Sequence, residues 1–274
     1  MTTTEKTIKQ EKGAFWSREG AAAVYEENVS SSSPFIQMKN YVERAIVGAH
    51  ARGRVLDAGT GTGRFAIRLA EAPGNTVVAL DYSNEMLELN RRLSQHLRRG
   101  AIEYVRGDIE NLPFPAADFD AVVSITVVRH FPQWQAILRE YVRVLKPGGK
   151  LVFEMCSGDH IAAANRVSPR FGAEHSTDGF LSYEAEVKQD DLRRWLDSIG
   201  VDVLETKTYD FVNSNAFMKL AGVNQLGYRI LLKGLKVVLG TASLWRAAAW
   251  LELRLLSKLS PVWSYNYMIV GRKR

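Results

Sequence analysis

A short glycine-rich turn is the part of the sequence whose residue types and spacing most clearly predict chemistry. The run 55–65 reads VLDAGTGTGRF, in which a strand of buried character leads into three glycines at alternate positions. Because glycine has no Cβ, the backbone there can turn tightly and approach a ligand closely. An amphipathic helix follows, and its first N–H groups can bind an anionic part of that ligand. The turn therefore predicts a binding site for a small molecule.

Two carboxylates follow the next strands along the chain. Asp81 ends the second candidate strand, and Asp108 follows the third. Ligands of open α/β sheets bind at the carboxyl ends of the strands, where a carboxylate can accept hydrogen bonds from both ribose hydroxyls. Either aspartate can instead cap a helix. A dinucleotide is one candidate ligand, but its G-x-G-x-x-G fingerprint differs from this turn, in which Arg64 follows the third glycine.

Alternating strands and helices must position these residues. One helix, predicted over 133–145, has apolar residues three and four positions apart and ends before Pro147-Gly148-Gly149. Such alternation predicts an α/β fold with a doubly wound, mostly parallel sheet covered on both faces. Seven strands are expected, at 54–58, 76–80, 102–106, 119–125, 150–155, 201–212 and 264–270.

Length and composition predict one large domain with elaborations. The chain has 274 residues, of which 46% are hydrophobic, enough for a full core. A single cysteine excludes an intramolecular disulfide framework and fits a reducing cytoplasm, the predicted location. We find no transmembrane run, and residues 1–13 lack the apolar core of a signal peptide. The predicted division is a helical lid (1–50), a binding core (51–212), a helical insertion (213–262) and a last strand (263–274).

The positive charge of the chain is concentrated in the insertion 213–262. The net charge is +6, and this segment alone holds seven basic residues and one acidic residue. Its pattern predicts two amphipathic helices, the second with an apolar stripe at Leu244, Ala248, Leu251, Leu255 and Leu259. Three interpretations compete: a cap over the substrate side, a homodimer interface, or a peripheral membrane contact that reaches a lipid-like acceptor.

Four stretches resemble the class I S-adenosylmethionine-dependent methyltransferases, specifically the small-molecule group that includes quinone-biosynthesis methyltransferases. The resemblance covers about 54–156. It implies a Rossmann-like methyltransferase fold, S-adenosylmethionine as cofactor and S-adenosylhomocysteine as product. The matching stretches are VLDAGTGTGRF (55–65), VVALDYSNEML (77–87), VRGDIENLPFPAADFDAVVS (105–124) and LREYVRVLKPGGKLVFE (138–154).

The resemblance implies roles for residues on the adenosine side of the cofactor. Asp81 would hold the ribose, and Tyr82 and Met86 would flank the adenine. Asp108 would accept a hydrogen bond from the adenine amino group, and the backbone of Ile109 would meet the ring. Met86 can equally be a core residue.

On the methionine side, the resemblance implies that the cofactor is lined by the turn itself. The residues concerned are Asp57, Gly59, Gly61 and Gly63. Ile125, just past the fourth strand, would offer its backbone to the same part of the cofactor.

Histidines and N-terminal aromatic residues are the candidates for the catalytic base and for the lid on the acceptor side of the site. The methyl group on the sulfonium of the cofactor is already activated, so positioning the acceptor in line with it can supply much of the reduction in the barrier. A general base is needed only where the acceptor loses a proton, and no metal is required. His130 is the candidate base, although it can simply orient its loop. His160 and His175 follow the fifth strand on the same side. Tyr25 and Trp16 resemble an aromatic lid, or pack the first helix onto the core.

The expected reaction is O-methylation of a bulky, largely apolar metabolite. The alternatives are N- or C-methylation of a quinone- or lipid-like acceptor, or a non-catalytic, cofactor-binding partner subunit. Nucleic-acid methyltransferases of this fold commonly carry an Asn/Asp-Pro-Pro-aromatic element after the fourth strand. Here that position reads Ser124-Ile125-Thr126-Val127, which argues against a nucleic-acid substrate.

Overall fold

A computed structural model describes residues 10–11, 13–98, 100–167, 184–211, 225–258 and 261–274. Its centre is one sheet in the order β3-β2-β1-β4-β5-β8-β7, with β6 paired to β5. The strands are β1 (Arg54–Ala58), β2 (Thr76–Asp81), β3 (Ile102–Arg106), β4 (Phe119–Ser124), β5 (Leu145–Ser157), β6 (Glu186–Val187), β7 (Val201–Tyr209) and β8 (Asn266–Lys273).

The sheet is mostly parallel, and only β8 runs against its neighbours β5 and β7. This confirms the predicted α/β fold class. The described residues form eight strands where seven were expected, because the two residues of β6 pair with the end of β5. Such a short strand carries no periodicity that a sequence pattern can reveal.

Helices cover both faces of the sheet. They are α1 (Ala21–Val29), α2 (Pro34–His50), α3 (Ala66–Ala70), α4 (Asn84–Leu93), α5 (Trp134–Val144), α6 (Gly158–Val167), α7 (Gln189–Ser198), α8 (Gln225–Val238) and α9 (Ala242–Arg254). Leu56 and Val55, neighbours on β1, are both fully buried and belong to the two core clusters on opposite faces. Burial on both faces explains why the central strands are continuous apolar runs.

β5 begins earlier than the sequence predicts. Leu145 already pairs with Phe119 of β4, and the register then shifts before Lys150 pairs with Ala121. The glycines that were expected to end the preceding helix therefore lie in an irregularity within the strand, where Gly148 has φ +79°.

The second helix of the predicted insertion packs on the N-terminal helices. The ring of Trp245 on α9 meets that of Tyr41 on α2, with centroids 6.3 Å apart. Ala249 is fully buried in the core cluster on that face of the sheet. Leu244, Leu251 and Leu255, three members of the predicted apolar stripe, are exposed instead.

Candidate active site

The glycine turn has the conformation that its sequence predicts. Gly59, Gly61 and Gly63 have φ values of +74°, +55° and +93°, which residues with a Cβ adopt rarely. A Cβ on Gly59 would lie 2.7 Å from the methyl carbons of Val127, and one on Gly63 would lie 2.2 Å from Asn90 Oδ1. The backbone of the turn is therefore closely enclosed by side chains from the loop after β4 and from α4.

Asp57 braces the turn from behind. Its side chain is buried, and Oδ2 accepts hydrogen bonds from Thr60 Oγ1 at 2.7 Å and from the Ala66 N–H at 3.0 Å. Burial raises the pKa of this carboxyl to about 6, although both hydrogen bonds oppose the shift. Asp57 and Gly63 are not among the residues that line the cavity, and their contacts with Thr60, Ala66 and Asn90 hold the turn in shape.

Asp81 joins the end of β2 to the turn. Its Oδ2 accepts from the Gly61 N–H at 2.8 Å, and its Oδ1 accepts from the Ser83 N–H at 2.9 Å. Burial raises its pKa, although these hydrogen bonds oppose the shift. Ser83, and not Asp81, caps α4, since its hydroxyl accepts from the Met86 N–H. An ionised carboxylate accepts about four hydrogen bonds, so each Asp81 oxygen keeps capacity for a ligand hydroxyl.

A cavity of about 710 Å³ lies over the turn at the carboxyl ends of β1, β2 and β4. It brings together most of the sequence-predicted site residues. These are Trp16, Tyr25, Gly59, Gly61, Asp81, Tyr82, Met86, Asp108, Ile109, Ile125 and His130. Sequence reasoning missed the remaining lining residues, which are Gln10, Gly13, Ala14, Gly107, Thr126, Val127 and Phe131.

Of the two other predicted histidines, His160 does not form part of this lining. His160 is fully buried, and its Nδ1 lies 2.7 Å from the carbonyl oxygen of Val262, just before β8. It therefore holds the C-terminal segment, a contact that a position after the fifth strand does not reveal. His175 lies outside the described residues.

The N-terminal segment covers the cavity. The ring of Tyr25 would lie 3.3 Å from a Cβ on Gly61, and it meets the ring of Trp16 edge to face at 5.6 Å. The Gly20 N–H donates to Glu85 Oε1 at 2.9 Å, which ties this segment to α4. Burial raises the pKa of the Tyr25 hydroxyl, so it stays protonated.

Thr126 forms a strained corner at the end of the cavity beyond β4. Its φ is +61°, an uncommon value for a β-branched residue and a costly one. Its Oγ1 donates to Glu154 Oε2 at 2.7 Å. No pattern in the sequence marks Thr126, because the strain depends on a partner 28 positions away.

His130 lies beside this corner, in the 3-10 turn Val128–His130. It is 6% exposed, and its Nδ1 lies 3.9 Å from Glu184 Oε1. The same carboxylate is 2.8 Å from Arg129 Nη2. The imidazole thus faces the cavity next to a buried ion pair.

A buried polar network extends behind Thr126. The Tyr209 hydroxyl lies 2.7 Å from Glu154 Oε1 and 3.0 Å from Glu43 Oε1, and both carboxylates are fully buried. Burial alone would raise the pKa of Glu154, but the positive charges of Arg129 and Lys39 and its hydrogen bonds lower it to about 2. The negative charge of Glu154 is therefore held by its surroundings.

Comparison with known proteins identifies the family. The family model of a methyltransferase domain matches residues 56–153. A demethylmenaquinone methyltransferase of Deinococcus radiodurans is 44% identical over 105 residues, which cover 38% of this chain and 43% of the relative. The enzyme of the same name from Renibacterium salmoninarum is 34% identical over 168 residues, which cover 56% of this chain and 68% of the relative.

The chain belongs to the S-adenosylmethionine-dependent methyltransferases. In other curated demethylmenaquinone methyltransferases that it resembles, this chain matches about half of the relative, 42–52% of its length. A crystal structure of a S-adenosylmethionine-dependent methyltransferase from Thermotoga maritima, described as a possible histamine N-methyltransferase, matches with a TM-score of 0.58. It is 17% identical, and the match covers 97% of this chain and all of that one, which supports the Rossmann-like fold.

The site of this methyltransferase fits its cofactor, S-adenosylmethionine. Gly59 and Gly61 present bare backbone to the cavity, and Asp81 keeps acceptor capacity beside them. Apolar side chains of Met86 and Ile109 line the same cavity. Within the part of the chain that the structure describes, no three metal-ligating side chains come together.

Proposed function

We propose that this methyltransferase transfers the methyl group of S-adenosylmethionine to a bulky, largely apolar small molecule. The observation that carries the proposal is the single cavity that joins the Asp81 carboxylate, the glycine turn and His130. One end supplies groups that suit a nucleoside, and the other supplies an apolar wall with an imidazole.

The cofactor orientation follows from the polar groups in the cavity. Asp81 accepts hydrogen bonds from the ribose hydroxyls, and Asp108 accepts one from the adenine amino group. Tyr82, Met86 and Ile109 enclose the adenine ring.

The methionine part then lies along Gly59 and Gly61, near the backbone of Ile125. Asp57 and Gly63 act indirectly, since they hold the shape of the turn. When bound, the cofactor supplies a sulfonium methyl that is already activated towards nucleophiles.

The acceptor lies between the glycine turn and the wall formed by Val127, His130 and Phe131. Thr126, held in place by Glu154, fixes the backbone where β4 ends, and so aligns this wall with the turn. His130 removes the proton of the acceptor hydroxyl, and the electron pair left on the oxygen attacks the methyl group either from the oxygen itself or, in a quinol, from the neighbouring ring carbon onto which it is delocalised. Tyr25 and Trp16 close the cavity against water.

The acceptor that we favour is a quinol-type ring, methylated at carbon. The support is the name shared by the two relatives, demethylmenaquinone methyltransferase, together with the apolar wall around one candidate base. O-methylation of a phenolic metabolite is the second candidate, because a base next to a bound hydroxyl serves it equally. The two reactions differ in the atom that receives the methyl group. Methylation at carbon also requires that ring carbon to lose its hydrogen as a proton, while the oxygen regains one and the ring becomes aromatic again.

The test is transfer of isotope-labelled methyl from S-adenosylmethionine to demethylmenaquinol, with NMR of the product to distinguish a carbon-bound from an oxygen-bound methyl. A carbon-bound label supports the favoured acceptor, and an oxygen-bound label replaces it with the second candidate. S-adenosylhomocysteine binding without transfer to any quinol or phenol tested would contradict the proposal and favour a non-catalytic subunit.

A further inference from the structure

The helix α8 turns an apolar face outward. Ile230, Leu231, Val237 and Val238 are 63%, 44%, 80% and 59% exposed. Residues seven apart lie nearly above one another on a helix, so these four form one stripe. On the other side Leu239, just past the helix, is partly buried against the core cluster. An ordinary surface helix has the reverse arrangement, with its apolar stripe towards the core.

The helix α9 repeats this arrangement. Leu244, Leu251 and Leu255 are 48%, 42% and 55% exposed, and they lie on one side of the helix. Trp250 on the neighbouring side is also exposed. Contiguous exposed apolar side chains on a folded protein mark a surface that binds a partner.

Every exposed charge described on these two helices and the turn that follows them is positive. Among the described residues 225–258, the exposed charged side chains are those of Lys233, Lys236, Arg246, Arg254 and Lys258. The single acidic residue of this range, Glu252, is buried. Lys233 flanks the apolar stripe of α8, about one helical turn from Val237, and Lys236 lies on the same side of the stripe but further round the helix.

Two of the three interpretations that the sequence left open fit this surface poorly. A cap over the substrate would line the cavity, yet the described residues of 225–258 contribute none of its lining. A second copy of the chain would place its own cationic side chains against those of the first, without acidic groups to compensate. An outward apolar stripe with a cationic border matches the boundary between headgroups and acyl chains of an anionic bilayer.

We propose that α8 and α9 bind the surface of a membrane that contains anionic phospholipid. Their apolar stripes enter the boundary below the headgroups, and Lys233, Lys236, Arg254 and Lys258 contact the phosphates. No helix within the described ranges has the length and hydropathy to cross a membrane. This binding does not depend on which acceptor the methyltransferase uses.

Co-sedimentation of the full chain with lipid vesicles tests the proposal. Vesicles of phosphatidylcholine with about one third phosphatidylglycerol should bind the protein, pure phosphatidylcholine should bind it far less, and added salt should weaken binding. The double variant Lys233→Glu/Lys236→Glu should lower the partition coefficient roughly 30-fold or more, on the basis of about fivefold for each basic residue removed. Ile230→Glu/Val237→Glu should lower it similarly.

The control Arg92→Glu/Arg98→Glu changes the net charge equally, on an exposed part of the molecule away from these helices. It should retain most of the binding. Affinity for S-adenosylhomocysteine shows that each variant is folded. Absence of binding to anionic vesicles overturns the proposal, as does an equal loss in the control. A dimer in solution that Ile230→Glu/Val237→Glu converts to monomer would also overturn it, since a second copy would then cover this face.

Discussion

The backbone N–H of Gly61 donates a 2.8 Å hydrogen bond to Asp81 Oδ2, so the middle of the glycine turn is fixed to the end of the neighbouring strand. Both residues line the cavity. The contact therefore sets the distance between the group proposed to hold the ribose and the backbone proposed to hold the methionine part. A change at either residue should alter cofactor affinity before it alters the fold.

Substitution Asp81→Ala should weaken binding of S-adenosylhomocysteine by about 1–3 kcal/mol, the cost of leaving hydrogen-bonding groups without partners. Isothermal titration calorimetry measures this change. Asp202→Ala, which removes an exposed carboxylate from the far edge of the sheet, is the matched control and should bind as the wild type does. Unchanged affinity in Asp81→Ala would show that the ribose lies elsewhere.

Gly59→Ala and Gly74→Ala separate backbone strain from crowding in the cavity. Both glycines have positive φ, +74° and +82°, so both variants should lose about 1 kcal/mol or more of folding free energy, and Gly59→Ala should lose more because of its additional contact. Only at Gly59 would the new Cβ meet side-chain atoms at 2.7 Å, whereas that of Gly74 meets none within 4 Å. Thermal unfolding should show a loss in both variants, and S-adenosylhomocysteine affinity a loss only in Gly59→Ala. Equal affinities would mean that the ligand does not approach this turn.

His130→Ala should lower kcat roughly 100-fold or more, the usual contribution of a general base, while cofactor affinity changes little. The exposed His96→Ala is the control. Added imidazole should restore part of the activity of His130→Ala, because a free base can occupy the vacated space. A variant with normal kcat, or one whose loss imidazole does not relieve, would reduce His130 to an orienting role in its loop.

Glu252 should make the protein less stable as the pH rises. Burial, together with the negative charge of Asp210, raises the pKa of this carboxyl from 4.5 to about 7. The folded state therefore holds this proton more tightly than the unfolded state does. The contribution of Glu252 to the free energy of unfolding is fully present below pH 4.5 and is lost as the pH rises through 7. The loss attributable to Glu252 is on the order of 3 kcal/mol.

Glu252→Gln should flatten this dependence, because the amide oxygen can still accept from the Phe211 N–H while the titration is gone. Denaturant unfolding between pH 5 and 8 measures the effect. Asp57, whose pKa burial raises to about 6, leaves a residual slope of the same sign. The exposed Glu88→Gln should keep the wild-type profile. A slope unchanged in Glu252→Gln would show that this carboxyl does not titrate in the folded protein.

The strands and the cofactor end of the site could be predicted because their signals are local. β1 and β3 begin and end at the predicted residues, since each is a short run of residues that favour strands between turn residues. Asp81 and Asp108 line the cavity because the carboxyl ends of parallel strands share one edge of the sheet.

The polar network behind the acceptor end could not be predicted in this way. Tyr209 and Glu43 are 166 positions apart, and only the folded sheet brings the hydroxyl of one to the carboxylate of the other. Likewise, Asp57 matches the position expected of a ligand contact, but its side chain points beneath the turn. Spacing along the chain predicts which residues share an edge of the sheet, and it does not predict which way each side chain turns.

The most direct test of the account is a crystal structure of the protein with S-adenosylhomocysteine bound. The ribose hydroxyls should lie within hydrogen-bond distance of Asp81, and the adenine should lie between Tyr82 and Ile109. The amino-acid part should lie against Gly59 and Gly61, with the sulfur facing the wall formed by Val127, His130 and Phe131. A nucleoside bound at any other place, with the space above the glycine turn filled by protein side chains, would contradict the account.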